Sequence, residues 1–555
     1  MQLHIPEIAQ IVRQVVDMRA YVPRVCLPTN GRPPHHRPRT IIAKVALLES
    51  SDQCQQSSEA SAWLTVTYAI LWLVFLATGR TPQRGIRCHM GGDGTPEAYQ
   101  ASTGAATMNM YDSPPTVVIV GGGLAGLTTA CYLALAGRAV TLIEQAAQLG
   151  GAAATQRHAG YAFNRGLHAL YPGGPASDVL RDLGITYQAG TPKDVWVLQR
   201  GVLHPFPANP ITLLRNPLLD MRDKLEFVRV FATLPRLAPA ALAHVAVQDW
   251  ITQTVKRPQP RAFLTALAWT FVYSTALDLV SAEVFVAKLQ RTLHHPVQYI
   301  DGGWQTLVDG LRRVAEQAGA RIFSGTRVEA VVHAAGRAAG VRLRDGTVLP
   351  ATAVVLAVRP ADARKLIEEA AAPALHRAVA RLIPARVACL DVALGRLPNV
   401  RHAVVQDLDQ ARFLSAQSVY ARIAPSGGAL VGVFKQLDPR QPADSHADER
   451  DLEDLLDMVQ PGWRDVLIKR MFLPHIMACG ALLTAQERGF AGRPDPQVTG
   501  LAHLYLAGDW IGPEGFLADA SFASARQVAR LVLQDSTLTA LLSAGQHAYS
   551  VAQIG

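Results

Sequence analysis

An α/β fold is predicted, in which one sheet-based domain is assembled from separated stretches and an α+β domain is inserted between them. Three observations predict it. Strand, glycine-rich turn, helix and strand follow one another between Thr116 and Glu144, the order of a β-α-β unit. Near the other end, a strand from Leu504 to Ala507 runs into Gly508-Asp509 and then a helix from about Ala518 to Leu533. Helix-rich and strand-rich stretches alternate between these ends, and a chain of 555 residues exceeds one ordinary core.

Taken in order, residues 1–112 read as an extension, with a proline and basic cluster at Arg32-Pro33-Pro34-His35-His36-Arg37-Pro38-Arg39 and little periodicity. Residues 62–78 are uncharged and apolar on every helical face, a candidate membrane helix at the short limit of a bilayer span. Arg80, Arg84 and Arg87 behind it would hold the rest of the chain on the cytoplasmic face. A cleaved export signal has only a short leader before its apolar core, so this stretch does not read as one. Met108 and Met110 lie just ahead of the first strand, so the extension is expected to be disordered or an artefact of a misplaced start.

The body opens with strand Val117 to Val120, helix Leu124 to Ala136 and strand Ala139 to Glu144. Helices Met221 to Ala232, Val247 to Val255 and Ala262 to Leu277 suit a lid or substrate domain. Helix Trp304 to Ala318 and strands Arg321 to Ser324, Val328 to Ala334, Val341 to Leu343 and Ala353 to Ala357 restore a compact α/β section. Strands near Ala388 to Leu394 and Ala429 to Phe434 and an acidic helix from Asp448 to Val459 follow. The expected partition is a discontinuous domain of 113–190, 296–360 and 480–540, with 191–295 and 361–479 forming the substrate or lid domain.

Apolar residues at 49% and charged ones at 17% describe a folded globular chain, not a disordered one. The net charge of +9 comes from scattered Lys and Arg, with no run of them interleaved with aromatics, so no nucleic-acid partner is expected. Mild basicity suits an anionic lipid surface, and peripheral or anchored membrane contact stays open. Cys26, Cys54, Cys88, Cys131, Cys389 and Cys479 form no C-x-x-C pair, and the His35-His36 and His294-His295 pairs lack helical spacing. Neither a disulfide framework nor a metal site is expected, and the reducing cytoplasm fits.

In G-x-G-x-x-G between a strand and a helix, the first Gly allows the tight turn, the second lets backbone approach a pyrophosphate, and the third packs helix on strand. Gly121, Gly123 and Gly126 take these places within Gly121-Gly122-Gly123-Leu124-Ala125-Gly126. The helix N-terminus offers free N–H groups and positive dipole to phosphates. Glu144 ends the second strand, where a carboxylate accepts both ribose hydroxyls and repels a 2′-phosphate. The motif alone leaves NAD and FAD open.

Three further phrases carry a resemblance. Gly150-Gly151 is placed like the second glycine pair of the FAD-dependent amine oxidase and phytoene desaturase-like superfamily. Gly160-Tyr161-Ala162-Phe163-Asn164-Arg165-Gly166-Leu167-His168 resembles the G-Y-x-F-D-x-G-x-H stretch of phytoene desaturase-like enzymes, and Leu504-Tyr505-Leu506-Ala507-Gly508-Asp509-Trp510 resembles the L-x-x-A-G-D segment. Tyr299-Ile300-Asp301-Gly302-Gly303-Trp304, with Gly325-Thr326-Arg327-Val328, is similar to the G-G-M and adenine-contact segment. The resemblance covers nearly everything from Thr116 to about Leu533. It implies a Rossmann-like, glutathione-reductase-type FAD-binding domain. In it Asp509 bonds the ribityl chain, the helix opening near Asp519, Ala520 and Ser521 points N–H groups at the flavin pyrimidine, and Val328 meets adenine through its backbone. Asn164 replaces the usual Asp, no basic residue follows Gly150-Gly151, and Ala520 stands where Gly is common. No cysteine lies near Asp509 along the sequence, so FAD is expected to be non-covalent.

The resemblance also implies a reaction class: hydride moves between a substrate C–H and flavin N5, with a hydrophobic, isoprenoid-like substrate as first expectation. No catalytic acid or base is nominated. His168, Tyr299 and Trp304 are candidate substrate-pocket residues, each equally readable as core packing. An amine oxidase using O2, often framing the substrate nitrogen with aromatic rings, is the first alternative. A non-catalytic flavin-containing escort protein is the second, and a non-redox flavin isomerase a smaller one.

Overall fold

A computed structural model describes residues 117–535 and 538. The extension 1–112, with its candidate membrane helix 62–78, lies outside the described residues. The first strand, Val117–Val120, is apolar at every position and buried on both faces, the pattern of a central parallel strand. It pairs in parallel with Val140–Ile143 on one side and Ala353–Leu356 on the other, Val118 lying beside both Thr141 and Val354. Leu504–Leu506 and Arg321–Phe323 complete a five-stranded parallel sheet at its two edges.

Alternate residues of each strand serve opposite faces. Val117 and Ile119 join a core with Leu127 and Leu133 of helix Leu124–Leu135, Leu311 of helix Gln305–Gln317, and Phe522 and Val528 of helix Ala518–Gln534. Val118 and Val120 join a second core under the antiparallel meander Val328–Ala334, Arg337–Leu343 and Val348–Pro350. The sheet is covered on both sides, as parallel sheets require.

A seven-stranded sheet forms the other body, in the order Leu467–Cys479, Ala385–Leu394, Ala429–Gln436, Arg412–Ser415, Val404–Asp407, Val195–Gln199 and Val202–Pro205. Leu452, Leu455, Leu456 and Val459 of helix Ser445–Val459 pack against its Leu390, Val392 and Val431. Helices Val247–Thr254, Pro258–Val272 and Ala282–His294 meet through Trp250, Leu264, Phe271 and Phe285.

Two departures from the sequence reading have physical causes. The helix expected to reach Leu277 ends at Val272, because Tyr273 adopts φ 58° and turns its N–H onto Trp269 O. Strand Leu467–Cys479 was not expected: Lys469, Arg470 and Pro474 interrupt any apolar pattern. It lies at a sheet edge, where charge and proline are tolerated. Among the described residues no helix is long and apolar enough to cross a membrane, and no group of three His, Cys, Asp or Glu side chains could hold a metal.

Candidate functional site

The carboxyl ends of parallel strands are where ligand crevices form. Here those ends deliver Gly121, Glu144, Ala357-Val358 and Gly508-Asp509 to one rim, and a cavity of about 510 Å³ lies along it. Gly121, at φ 110°, has no room for a side chain, since a Cβ would come within 2.3 Å of Ala357 O. A Cβ on Gly126 would meet Gly121 O at 1.9 Å. Gly123 differs: its nearest obstacle would be Gly150 O at 3.8 Å, so what needs its bareness is the cavity.

Helix Leu124–Leu135 begins there with Gly123 as its N-cap, which offers no side-chain acceptor, leaving the N–H groups of its first turn for a ligand. Leu124 and Ala125 line the cavity, as do Gly150 and Gly151, while Gly122 does not. Gly150 N–H donates to Gly122 O at 2.8 Å, fixing the second glycine pair against the first. Glu144 lines the cavity, and its carboxylate oxygens accept from Gly122 N at 2.7 Å and Ala146 N at 2.8 Å. One lone pair on each oxygen is left for hydroxyls.

At the far strand end, Gly508 N–H donates to Ser524 Oγ at 3.0 Å, tying the turn to the last helix. Asp509 Oδ2 accepts from Gly480 N at 2.8 Å. Burial raises its carboxyl above the ordinary range, against the pull of that bond and of Arg493. The Arg493 guanidinium, itself buried, donates to Asp509 O at 3.1 Å and Gly515 O at 2.8 Å. The expected distance between cysteines and Asp509 is corrected by the fold: Cys479 ends the strand beside Asp509 and interacts with it, and Cys389 lines the cavity. Burial pushes both thiols up.

The last helix opens at Ala518, one residue before the predicted trio. Asp519 and Ser521 line the cavity and Ala520 is packed away beneath it. The Asp519 carboxylate forms an ion pair with Arg291 and accepts from Ala176 N at 2.9 Å. Val328 is a buried strand residue off the cavity, although Thr326 N–H, two residues earlier, donates to Glu144 O at 2.9 Å.

Of the three pocket candidates, His168 and Trp304 line the cavity and pack edge to face with centroids 5.1 Å apart. Burial lowers the His168 pKa and favours the neutral ring. Trp304 Nε1 is buried without a hydrogen-bond partner among the described residues, a donor for a bound acceptor. Tyr299 is instead a core residue off the cavity, its hydroxyl accepting from Ser415 Oγ at 3.0 Å. Asn164 Oδ1 accepts from Thr155 Oγ1 at 2.8 Å and Trp304 N at 3.1 Å, so the amide orients the Trp304 wall.

Sequence reasoning missed a further part of the cavity wall. Tyr171, Tyr273, Val387, Phe434, Ile476 and Phe516 line it, and Lys288 lies buried behind its rings. These residues sit in no motif: Val387, Phe434 and Ile476 come from three strands, Lys288 from a helix, and Tyr171, Tyr273 and Phe516 from connecting segments. Only the folded chain brings them together.

This arrangement fits a dinucleotide at the glycine rim and an apolar ligand at the aromatic end. The family profile described as flavin containing amine oxidoreductase matches residues 124–390, and that of FAD dependent oxidoreductase matches 259–530. Coproporphyrinogen III oxidase of Propionibacterium freudenreichii subsp. freudenreichii is 25% identical, over 62% of this chain and 77% of its own length. The all-trans-zeta-carotene desaturase of Myxococcus xanthus is 30% identical, over 51% of this chain and 61% of its own. A solved oxidoreductase of Methanosarcina mazei superposes with a TM-score of 0.61 at 20% identity, covering 75% of this chain and 100% of that one, which bears on the fold alone. With the glycine rim and the parallel sheet in place, these matches establish that the chain belongs to the FAD-dependent amine oxidase and phytoene desaturase-like oxidoreductase superfamily.

Proposed function

We propose that this FAD-dependent oxidoreductase acts on a hydrophobic substrate in the manner of the phytoene desaturase-like enzymes. The observation that carries the reading is the continuity of the cavity, which runs from Gly123 and Gly151 past Asp509 to the wall of Tyr171, Val387, Phe434 and Phe516. When bound, flavin supplies the hydride acceptor or donor. The chain's part is to hold the pyrophosphate on the Leu124–Ala125 turn and the ribose on Glu144. Asp509 and the Ala518 helix turn face the isoalloxazine end, and apolar side chains keep water from the reacting carbon. The strands of the parallel sheet all fall within 113–190, 296–360 and 480–540, which supports reading these stretches as the FAD domain. Purified protein should show a flavin spectrum and be bleached anaerobically by a component of a lipid extract. Hydrogen peroxide release on an amine panel, with no bleaching by lipids, would instead support an amine oxidase.

The cofactor is held without a covalent bond in this reading, because burial keeps the Cys389 and Cys479 thiols protonated and a thiolate is the reactive form. Acid precipitation should leave the flavin in the supernatant; flavin that stays with the pellet overturns the point.

A peripheral membrane contact belongs to the same proposal. Met221, Leu225 and Val228 stand at i, i+4 and i+7 on helix Met221–Thr233, each at least half exposed, with Ile211 and Leu214 exposed on the preceding helix. Arg215, Arg222, Arg229 and Arg236 are exposed around them. Asp220 and Asp223 bind Arg257, and Glu226 accepts from Lys256 N and Arg257 N while pairing with Arg229 at 3.8 Å, so the rim keeps a net positive charge. An apolar stripe with a cationic rim suits an anionic bilayer surface. The protein should float with vesicles of equal phosphatidylcholine and phosphatidylglycerol but not with phosphatidylcholine alone, and Leu225→Asp should abolish flotation.

A further inference from the structure

Lys288 is a buried cation that neither the cofactor rim nor the apolar wall uses. Only 8% of it is exposed. Its ammonium lies 4.1 Å from the Tyr171 ring centroid, 4.9 Å from Tyr273, 5.2 Å from Phe516 and 5.6 Å from Phe271. Nζ donates to Phe271 O at 2.9 Å, a carbonyl in the last turn of helix Pro258–Val272 that has no partner within the helix. Aromatic faces and a helix C-terminus both attract positive charge. Among the described residues no carboxylate lies within ion-pair distance of Nζ. Asp519, the acid that acts on it from the last helix, is bound by Arg291. Tyr171, Tyr273 and Phe516, three of the four rings, also line the cavity.

A ring of aromatic faces beside a flavin is a receptor for a substrate ammonium. In this chain the receptor is already filled. We infer that Lys288 is a specificity-determining residue that occupies the aromatic cage with the chain's own ammonium, so that the cavity turns away cationic substrates and accepts neutral or carboxylate-bearing lipophilic ones. A second positive charge about 8 Å away, at an effective dielectric of about 20, is disfavoured by at least roughly tenfold in affinity. This rests on the flavin-oxidoreductase reading above and narrows its substrate class.

The filter is pH-dependent. Burial draws the Lys288 pKa down to about 7, with Asp519 opposing and Arg291 reinforcing the fall. The other groups facing it are the Tyr171 and Tyr273 hydroxyls and the Cys479 thiol, all pushed up by burial and neutral through this range. Repulsion is therefore full near pH 6 and fades by pH 8.5.

The test uses the full-length holoenzyme, Lys288→Met and Lys288→Arg, with decylamine, decanol and decanoate as probes and calorimetry as the readout at pH 6 and pH 8.5. Wild type is expected to bind decanol and decanoate at least about tenfold more tightly than decylammonium at pH 6, with the gap closing at pH 8.5. Lys288→Met should admit decylammonium at both pH values, and Lys288→Arg should exclude it at both. Equal binding of decylammonium and decanol by wild type at pH 6, no gain in Lys288→Met, or binding of no probe at all overturns the inference. A purified chain without a flavin spectrum overturns the cofactor reading instead, and calorimetry still decides the filter on that sample.

Discussion

Gly123 and Gly126 stand three positions apart under opposite constraints, and substitution separates them. Gly123 has extended backbone, φ −81° and ψ −172°, and room for a methyl group. In flavin-free protein Gly123→Ala should leave the unfolding free energy within about 0.5 kcal/mol of wild type by denaturant titration, while the flavin content of the purified protein should report FAD binding weakened by at least about tenfold. Gly126→Ala drives a methyl into Gly121 O and should cost roughly 1–3 kcal/mol in the same titration. Lys288 carries a stability signature of its own. Its folded pKa of about 7 lies below the ordinary value of 10.5, so between those values the unfolded chain binds more protons and wild-type stability rises with pH. Below about 7 the destabilisation is complete. Lys288→Met should flatten this slope in thermal scans from pH 6 to pH 10.

At the scale of elements, the turn between Val404–Asp407 and Arg412–Ser415 depends on a buried ion pair. Arg412 Nη2 lies 2.6 Å from Asp407 Oδ2, both almost fully enclosed, and Asp407 Oδ1 also accepts from Asp409 N and Gln410 N. Asp407→Ala strands a guanidinium in the interior and should cost about 3–5 kcal/mol, read as a lowered denaturation midpoint. Neither strand of this turn was legible in the sequence, because each is short and its pattern mixes Gln406, Asp407 and Arg412 into the apolar run. Their charges are satisfied by each other, a fact no local window contains. The glycine turn, by contrast, was legible down to its helix: there the determinants are local, a buried apolar strand, three spaced glycines and an uncapped N-terminus. His168 and Trp304 line the cavity, while Tyr299, five residues before Trp304, turns into the core to meet Ser415. Alternation on a short strand decides which way a ring points, and the phrase alone did not fix its register.

Across the whole molecule, the proposed FAD site draws on segments distant in sequence, so cofactor binding should couple to global stability. Stripping FAD should lower the melting temperature. Adding it back at about 100 times its dissociation constant should restore roughly 2.7 kcal/mol. Riboflavin, which lacks the pyrophosphate for which the Gly123 rim is proposed, should restore much less. The wall that includes Tyr171, Tyr273 and Phe434, with Lys288 behind it, was unreadable for the same global reason: its members share a surface only after both sheets have formed.

The edge position of Leu504–Leu506 has a consequence for synthesis. About 150 residues separate Leu356 from that strand, and at roughly 5–20 residues per second a ribosome needs on the order of 7–30 seconds to span them. For that interval Ala353–Leu356, an apolar strand, presents an unpaired edge with the nascent cradle half built. A chaperone that shields sheet edges should therefore raise the yield of flavin-loaded protein. Cofactor loading should be post-translational, beginning only after the ribosome has released Gly508 and Asp509.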